Sequence, residues 1–350
     1  HVLEGGMRLL NAKGAAAILM EVDTGRVISL ASLPDFDPNH RPGLPVRGSA
    51  DDSPLFNKAI QGVYELGSTF KIFTVAQALE LELVDPKTKI NTKGPIRMGW
   101  HKINDYRNNG PELPVWQVIT ESSNLGTARI AKMIGPEKQR EFLSSLGFTK
   151  PTSIEMIEAS GGKPLLPKRW NELETMTISY GHGLSATPLH LATGYATLAN
   201  GGRLVKPTLL EEEKLGLGQQ IISKEVAKNS LAMLRGVVTE GTASLADVNG
   251  YFVAGKTGTA DKPSAQGGYD KEKNITSFAS IFPVHEPKYV LVVTLDEAQD
   301  TSGPEPKRTA GWTAVPVSAE IIARVAPLLG LRPKFDNKSS VGVTLSNWQE

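Results

Sequence analysis

The spacing of apolar positions divides the chain into three stretches. Ala15–Val22 and Arg26–Ser32 are short runs rich in Ala, Ile, Leu, Met and Val, joined by Asp23-Thr24-Gly25. This pattern predicts two strands and a tight hairpin turn. A Pro/Gly/Asp-rich loop follows Pro34. Helical spacing then begins after Gly67, with Phe70, Phe73, Val75, Ala76, Leu79 and Leu81 on a repeating face. Residues 94–114 read as loop, broken by Asn108-Asn109-Gly110-Pro111. Further helices are expected at Val115–Thr120, Leu125–Ile134, Pro136–Leu146, Pro188–Ala199 and Lys224–Val238. The last third returns to strand at Tyr251–Gly255, Thr276–Phe282 and Tyr289–Leu295. A final helix is expected over Val315–Leu329, and residues 335–350 read as a loose polar tail.

Strands at both ends with helices between them predict an α+β fold. Its antiparallel sheet is built from N- and C-terminal strands, flanked by helices, with an inserted all-helical subdomain. The expected division is one domain over 1–334. Within it a sheet subdomain takes about 15–65 and 245–330, and a helical subdomain about 66–244. There is no internal repeat and no low-complexity tract.

Composition narrows the function classes. With 350 residues the chain can bury a large core. A formal charge of +1, with no basic stripe interleaved with aromatics, gives no reason to expect a nucleic-acid partner. The absence of cysteine excludes disulfides and thiolate metal sites. No His/Asp/Glu spacing resembles a metal site, the glycine pairs lack the context of a nucleotide-binding turn, and no cofactor is implied. No apolar run reaches the roughly 18–20 residues that span a bilayer. The chain opens on His1-Val-Leu-Glu4 without methionine, which reads as a fragment separated from its targeting segment.

Candidate chemistry begins at Ser68-Thr-Phe-Lys71. Residues three apart share a helix face, so the Lys71 amine is expected to reach the Ser68 hydroxyl. Serine is a weak nucleophile until a base takes its proton, and lysine serves when its pKa is lowered. S-x-x-K also arises by chance about once or twice in a chain of this size, and a second copy stands at Ser160-Gly-Gly-Lys163. That copy holds two glycines and precedes Pro164, so it is loop. A lysine in the first helical turn faces the positive end of the macrodipole, an unfavourable placement that suggests a role. Downstream lie Ser122-Ser-Asn124, in a loop between helices, and Lys256-Thr-Gly-Thr259, after a strand-like run. Taken singly, Ser122 and Asn124 read as helix caps and Lys256 as a solvated strand end.

S-x-x-K, S-x-N and K-T-G, in that order, are the motifs of the penicillin-recognising serine enzymes, and the chain resembles the class B penicillin-binding proteins. Tyr64-Glu-Leu-Gly-Ser-Thr-Phe-Lys71 is similar to their Y-E-P-G-S-T-F-K element, with Leu66 in place of proline. Gly181-His-Gly-Leu-Ser-Ala-Thr-Pro-Leu-His190 and Ala199-Asn-Gly-Gly202 resemble their G-x-G-x-x-x-T-P-L-Q and A-N-G-G segments. Ser32–Asn39, Gly241-Thr242 and Leu295-Asp-Glu297 also fit. The resemblance covers about Ala15 to Gly330 and is greatest to septal, cell-division transpeptidases of Gram-negative bacteria.

The resemblance implies a D-alanyl-D-alanine transpeptidase that works through a serine acyl-enzyme and is inhibited by β-lactams. Ser68 would be the nucleophile and Lys71 the base, kept neutral by burial and by Lys256. Ser122 would relay a proton. Asn124 would bind the substrate backbone and help to hold Lys71. Lys256, Thr257, Gly258 and Thr259 would bind the stem peptide and its carboxylate, and the backbone N–H groups of Ser68 and Thr259 would form the oxyanion hole. It further implies a periplasmic enzyme anchored in the inner membrane, with a septal glycosyltransferase and other division proteins as partners. A serine β-lactamase, a D,D-carboxypeptidase and a non-catalytic β-lactam sensor are the alternative readings. Glu172 invites the first, although the asparagine expected after it is missing. His182 and Trp312 are expected to serve the turn and the packing around them.

Overall fold

The computed structural model describes residues 1–43, 49–211, 218–264 and 267–335, together with Leu345 and Trp348. Helix α1 (Val2–Leu9) leads into β1 (Gly14–Glu21) and β2 (Val27–Leu33), the predicted hairpin. Helix α2 (Lys71–Glu80) follows, and then four three-residue strands: β3 (Lys89–Asn91), β4 (Ile96–Met98), β5 (His101–Ile103) and β6 (Glu112–Pro114). The helical stretch contains α3 (Val115–Thr120), α4 (Asn124–Ile134), α5 (Pro136–Ser145), α6 (Glu172–Ile178), α7 (Pro188–Ala199) and α8 (Lys224–Thr239). Strands β7 (Ala254–Pro263), β8 (Tyr269–Phe282) and β9 (Tyr289–Asp296) return to the sheet, and α9 (Ala314–Leu328) closes the fold.

The main sheet runs β2-β1-β9-β8-β7, antiparallel throughout. Every residue of β9 after Tyr289 is buried, so both of its faces are covered. Helices α7 and α9 each pack on β8 and β9, and α1 packs on β1 and α9. Helix α7 is buried along its whole length, as expected for a helix apolar on all sides. Strand β7 is the sheet's edge. Its outer backbone groups are available for pairing, and it carries the K-T-G motif.

Among the described residues the inserted stretch holds, besides its helices, two small antiparallel strand pairs, β3–β6 and β4–β5, inside the region expected to be loop and in a subdomain expected to be all helical. Three-residue strands are too short to show a period-2 pattern. Pair β4–β5 rests Ile96, Met98 and Ile103 on a separate small core made by Leu125, Ala128, Met176 and Tyr180. The expected strand at Tyr251–Gly255 starts later, at Ala254, because Phe252 takes a left-handed conformation (φ 45°) that no strand accommodates. Strand β8 begins seven residues earlier than its apolar run, since its polar start pairs with the far end of β7. Helices α1 and α6 are additional to the expected ones, and α1 places Leu3, Met7 and Leu10 at helical spacing against the core.

We propose the division into a sheet part (about 15–65 and 245–330) and a helical part (about 66–244), supported by the element order. In sequence α7 belongs to the helical part, yet it packs on the sheet. Most of the tail expected to be loose, 335–350, lies outside the described residues. Leu345 is buried beside Gly236 of α8.

Candidate active site

Ser68 sits in a tight 3-10 turn, Gly67–Phe70, that feeds directly into α2. Two backbones meet closely here. A Cβ on Gly67, whose φ is +56°, would stand 2.8 Å from the Thr259 carbonyl oxygen, and one on Gly258 would strike the Leu66 carbonyl oxygen. The turn therefore lies flat against the edge strand β7, and only glycine allows that approach. The Thr69 hydroxyl donates to the Leu66 carbonyl at 2.8 Å, and the buried Tyr195 hydroxyl donates to the Thr69 carbonyl at 2.9 Å. Leu66 is buried with φ −92°. That lies outside proline's range of about −65 ± 15°, which accounts for leucine being accommodated at this position.

Lys71 and Lys256 are both fully buried, and their amines converge on one hydroxyl. Each stands 3.0 Å from Ser122 Oγ, and Lys71 also donates to the Ser122 carbonyl oxygen. Ser122 presents both oxygens because its backbone is left-handed (φ 59°), a strained conformation for a residue other than glycine. Burial drives the Lys71 pKa well below the ordinary lysine value. The charge of Lys256 adds to that shift, and Asp105 opposes it in part. Burial alone pulls Lys256 down to about 7. Two ammonium groups sharing one hydroxyl repel, so the arrangement favours one neutral amine.

The other predicted site residues are distributed as follows. The hydrogen bond expected between Lys71 and Ser68 is not formed. Among the described residues the Ser68 side chain has no hydrogen-bond partner, and Lys71 turns to Ser122, whose carbonyl is the stronger acceptor for a buried amine. Asn124 does not hold Lys71. Its amide donates to the Asn104 carbonyl at 3.0 Å. Ser123 is the residue that caps α4, accepting from Gly126 N–H at 2.9 Å, and its hydroxyl donates to Asp105 at 2.7 Å. The Thr257 hydroxyl is 2.7 Å from that of Thr242, and the Thr259 hydroxyl accepts from Ala310 N–H at 3.0 Å.

Two contributing carboxylates have no role legible in the sequence, although Glu65 lies within the Tyr64–Lys71 element. Asp105 also accepts from Leu125 N–H at 2.9 Å, fixing the S-x-N corner from a segment that reads as loop. Glu65 accepts from Gly183 N–H (2.7 Å) and Tyr269 (3.1 Å) and lies 3.1 Å from His182 Nδ1. The carboxylate thus braces the nucleophile turn against the 181–183 turn and the start of β8. The second S-x-x-K is not a site: Ser160 bonds within its own 3-10 turn, and Lys163 is exposed. Glu172 pairs with Lys132 at 2.9 Å on the surface. Trp312, expected to pack, is 45% exposed with the Lys307 ammonium 3.4 Å over its ring. Among the described residues no group of three or more His, Asp or Glu could hold a metal ion, and no helix is long and apolar enough to cross a membrane.

A serine turn, a two-lysine cluster and an open strand edge together define a serine acyltransferase cleft. Residues 15–322 match the penicillin binding protein transpeptidase domain, and the chain belongs to that family. The peptidoglycan D,D-transpeptidase FtsI of Buchnera aphidicola is 31% identical over 342 residues, covering 95% of this chain and 57% of that protein. Its Escherichia coli K12 namesake is 29% identical over 332 residues, covering 95% and 54%. The chain thus spans about half the length of these curated relatives. The apo structure of the TP domain from Burkholderia pseudomallei penicillin-binding protein 3 superposes with a TM-score of 0.82 at 31% identity, covering 96% of this chain and 94% of that one.

Proposed function

We propose that the chain is the catalytic part of a peptidoglycan D,D-transpeptidase that cross-links stem peptides and is acylated by β-lactams. The observation that carries this reading is the Ser122 hydroxyl held 3.0 Å from two buried lysine amines, beside a half-buried serine and an unpaired strand edge. The stem peptide adds to the edge of β7 as a further strand, with its terminal carboxylate towards Lys256 and the threonine hydroxyls. Ser68 Oγ attacks the carbonyl carbon of the penultimate D-alanine while neutral Lys71 takes its proton. The N–H groups of Ser68 and Thr259 hold the developing oxyanion, worth about 3–4 kcal/mol for each donor. Close docking of Gly67 on the Thr259 peptide supports that pairing. The C–N bond breaks, and the D-alanine amine leaves with a proton passed through Ser122. The amine of a second stem peptide then attacks the ester, gives up a proton, and restores the Ser68 hydroxyl.

The relatives' names support the peptidoglycan D,D-transpeptidase activity. We further propose, from the motif resemblance alone, a septal role for a periplasmic, inner-membrane-anchored protein working with a septal glycosyltransferase and other division proteins. The assignment is tested by labelling with a fluorescent penicillin and mapping the adduct peptide. A label on Ser68 is the expected result. A label on Ser122, or none on folded protein, overturns it. Many turnovers of penicillin per second would identify a β-lactamase instead, and release of D-alanine to water in preference to an acceptor amine would identify a carboxypeptidase. Absence of any transfer onto a D-amino acid would mark a sensor.

A further inference from the structure

The β4–β5 hairpin adjoins the S-x-N wall of the cleft. Its link to that wall is direct: Asn124 donates to the Asn104 carbonyl, and Asp105 ties down Ser123 and Leu125. The hairpin turn is Met98-Gly99-Trp100-His101, with positive φ only at Gly99, which makes it a two-residue turn of the II′ kind. Ile96, Met98 and Ile103 anchor one face on the small core beneath. The turn therefore holds Trp100 out on a supported stem, 103% exposed, and Tyr106 a few residues on is 88% exposed. Arg97 and Lys102 are cross-strand partners, exposed like Lys93 and Arg107. Among the described residues none of these four cations is in an ion pair. The segment's one carboxylate, Asp105, is turned inward to the S-x-N corner.

Transpeptidation joins two strands of one polymer, and the edge of β7 can accept only one of them. The second strand must approach the acyl-enzyme from the open side of the cleft. Peptidoglycan offers flat apolar sugar faces of the kind that stack on indole and phenol rings, and stem-peptide carboxylates that pair with arginine and lysine. We infer that the hairpin carrying Trp100, Arg97, Lys102 and Tyr106 binds the glycan and the peptide carboxylates of the acceptor strand and presents that strand to the acylated Ser68. The inference rests on the transpeptidase reading.

The test is co-sedimentation of the protein with purified, protein-free peptidoglycan sacculi, run beside penicillin labelling of Ser68. Trp100→Ala and the double variant Arg97→Glu/Lys102→Glu are each expected to weaken sacculus binding about tenfold, as truncation of a dominant contact does. All these side chains lie on the solvent side, so labelling of Ser68 is expected to keep its wild-type rate. Binding undiminished in both variants overturns the inference. So does wild-type protein that sediments with vesicles of phosphatidylglycerol and phosphatidylethanolamine but not with sacculi, since the hairpin would then be a membrane contact. Failure of wild-type protein to label at Ser68 removes the transpeptidase reading itself, a result separate from either binding outcome.

Discussion

Lys71→Met is expected to slow penicillin acylation of Ser68 by about 10²–10⁴-fold, the range for loss of a positioned general base. The second-order labelling rate measures this. The thermal midpoint should stay level or rise, because methionine fills a fully buried position without a group that must be desolvated. The sign of the pH effects follows from the lowered lysine pKa values. Only neutral Lys71 accepts a proton, so acylation should climb as pH rises through its depressed pKa. Above about 7, Lys256 loses charge in the empty site, which weakens carboxylate binding and sets a falling limb. Stability moves in the same direction as the first limb. Between the folded pKa of a buried lysine and the ordinary value near 10.5, the unfolded chain binds more protons than the native one. Stability therefore increases with pH across that window, and the cost of burying the charge is fully present below it. Urea unfolding at pH 6 and pH 9 should show a shallower pH slope for Lys71→Met than for wild type. Wild-type acylation by Lys71→Met would remove Lys71 as the base.

The sequence made the outline of this site legible because its parts are short and locally punctuated. Helix α7 matches its predicted bounds, since Thr187 caps it through its hydroxyl, Pro188 opens it and Asn200-Gly-Gly202 closes it. The three motifs were visible as residue types at fixed offsets. The contacts that orient them could not be read. Asp105, Glu65 and Thr242 act on elements brought near by the fold alone, and nothing local distinguishes Asp105 from any other loop aspartate. The direction in which Lys71 points is likewise a tertiary outcome. Helical spacing aims it at Ser68, but the left-handed backbone at Ser122 offers a carbonyl and a hydroxyl together. Strand ends were missed where polar residues pair only because their partner strand continues, as at the start of β8.

Gly258→Ala tests the docking of the nucleophile turn on the sheet, and it should separate stability from catalysis. The added methyl group would strike the Leu66 carbonyl oxygen and stand 2.9 Å from Thr69 Cγ2. Neither can retreat freely: Leu66 is buried, its carbonyl accepts from Thr69, and Thr69 is tied in turn to Tyr195. Overpacking of this kind costs about 1–3 kcal/mol, seen as a fall in the urea midpoint. The catalytic loss should be larger. Pushing β7 away from the turn separates the Thr259 peptide from that of Ser68, and a displacement near 1 Å can cost about 10²-fold. Acylation is therefore expected to drop at least that far in protein that remains folded by circular dichroism. Gly303→Ala is the matched control, since a Cβ there meets nothing within 4 Å. It should leave both the urea midpoint and labelling unchanged. If Gly258→Ala acylates as fast as that control, β7 and the Ser68 turn do not work as one rigid unit, and the oxyanion pairing of Ser68 with Thr259 must be abandoned.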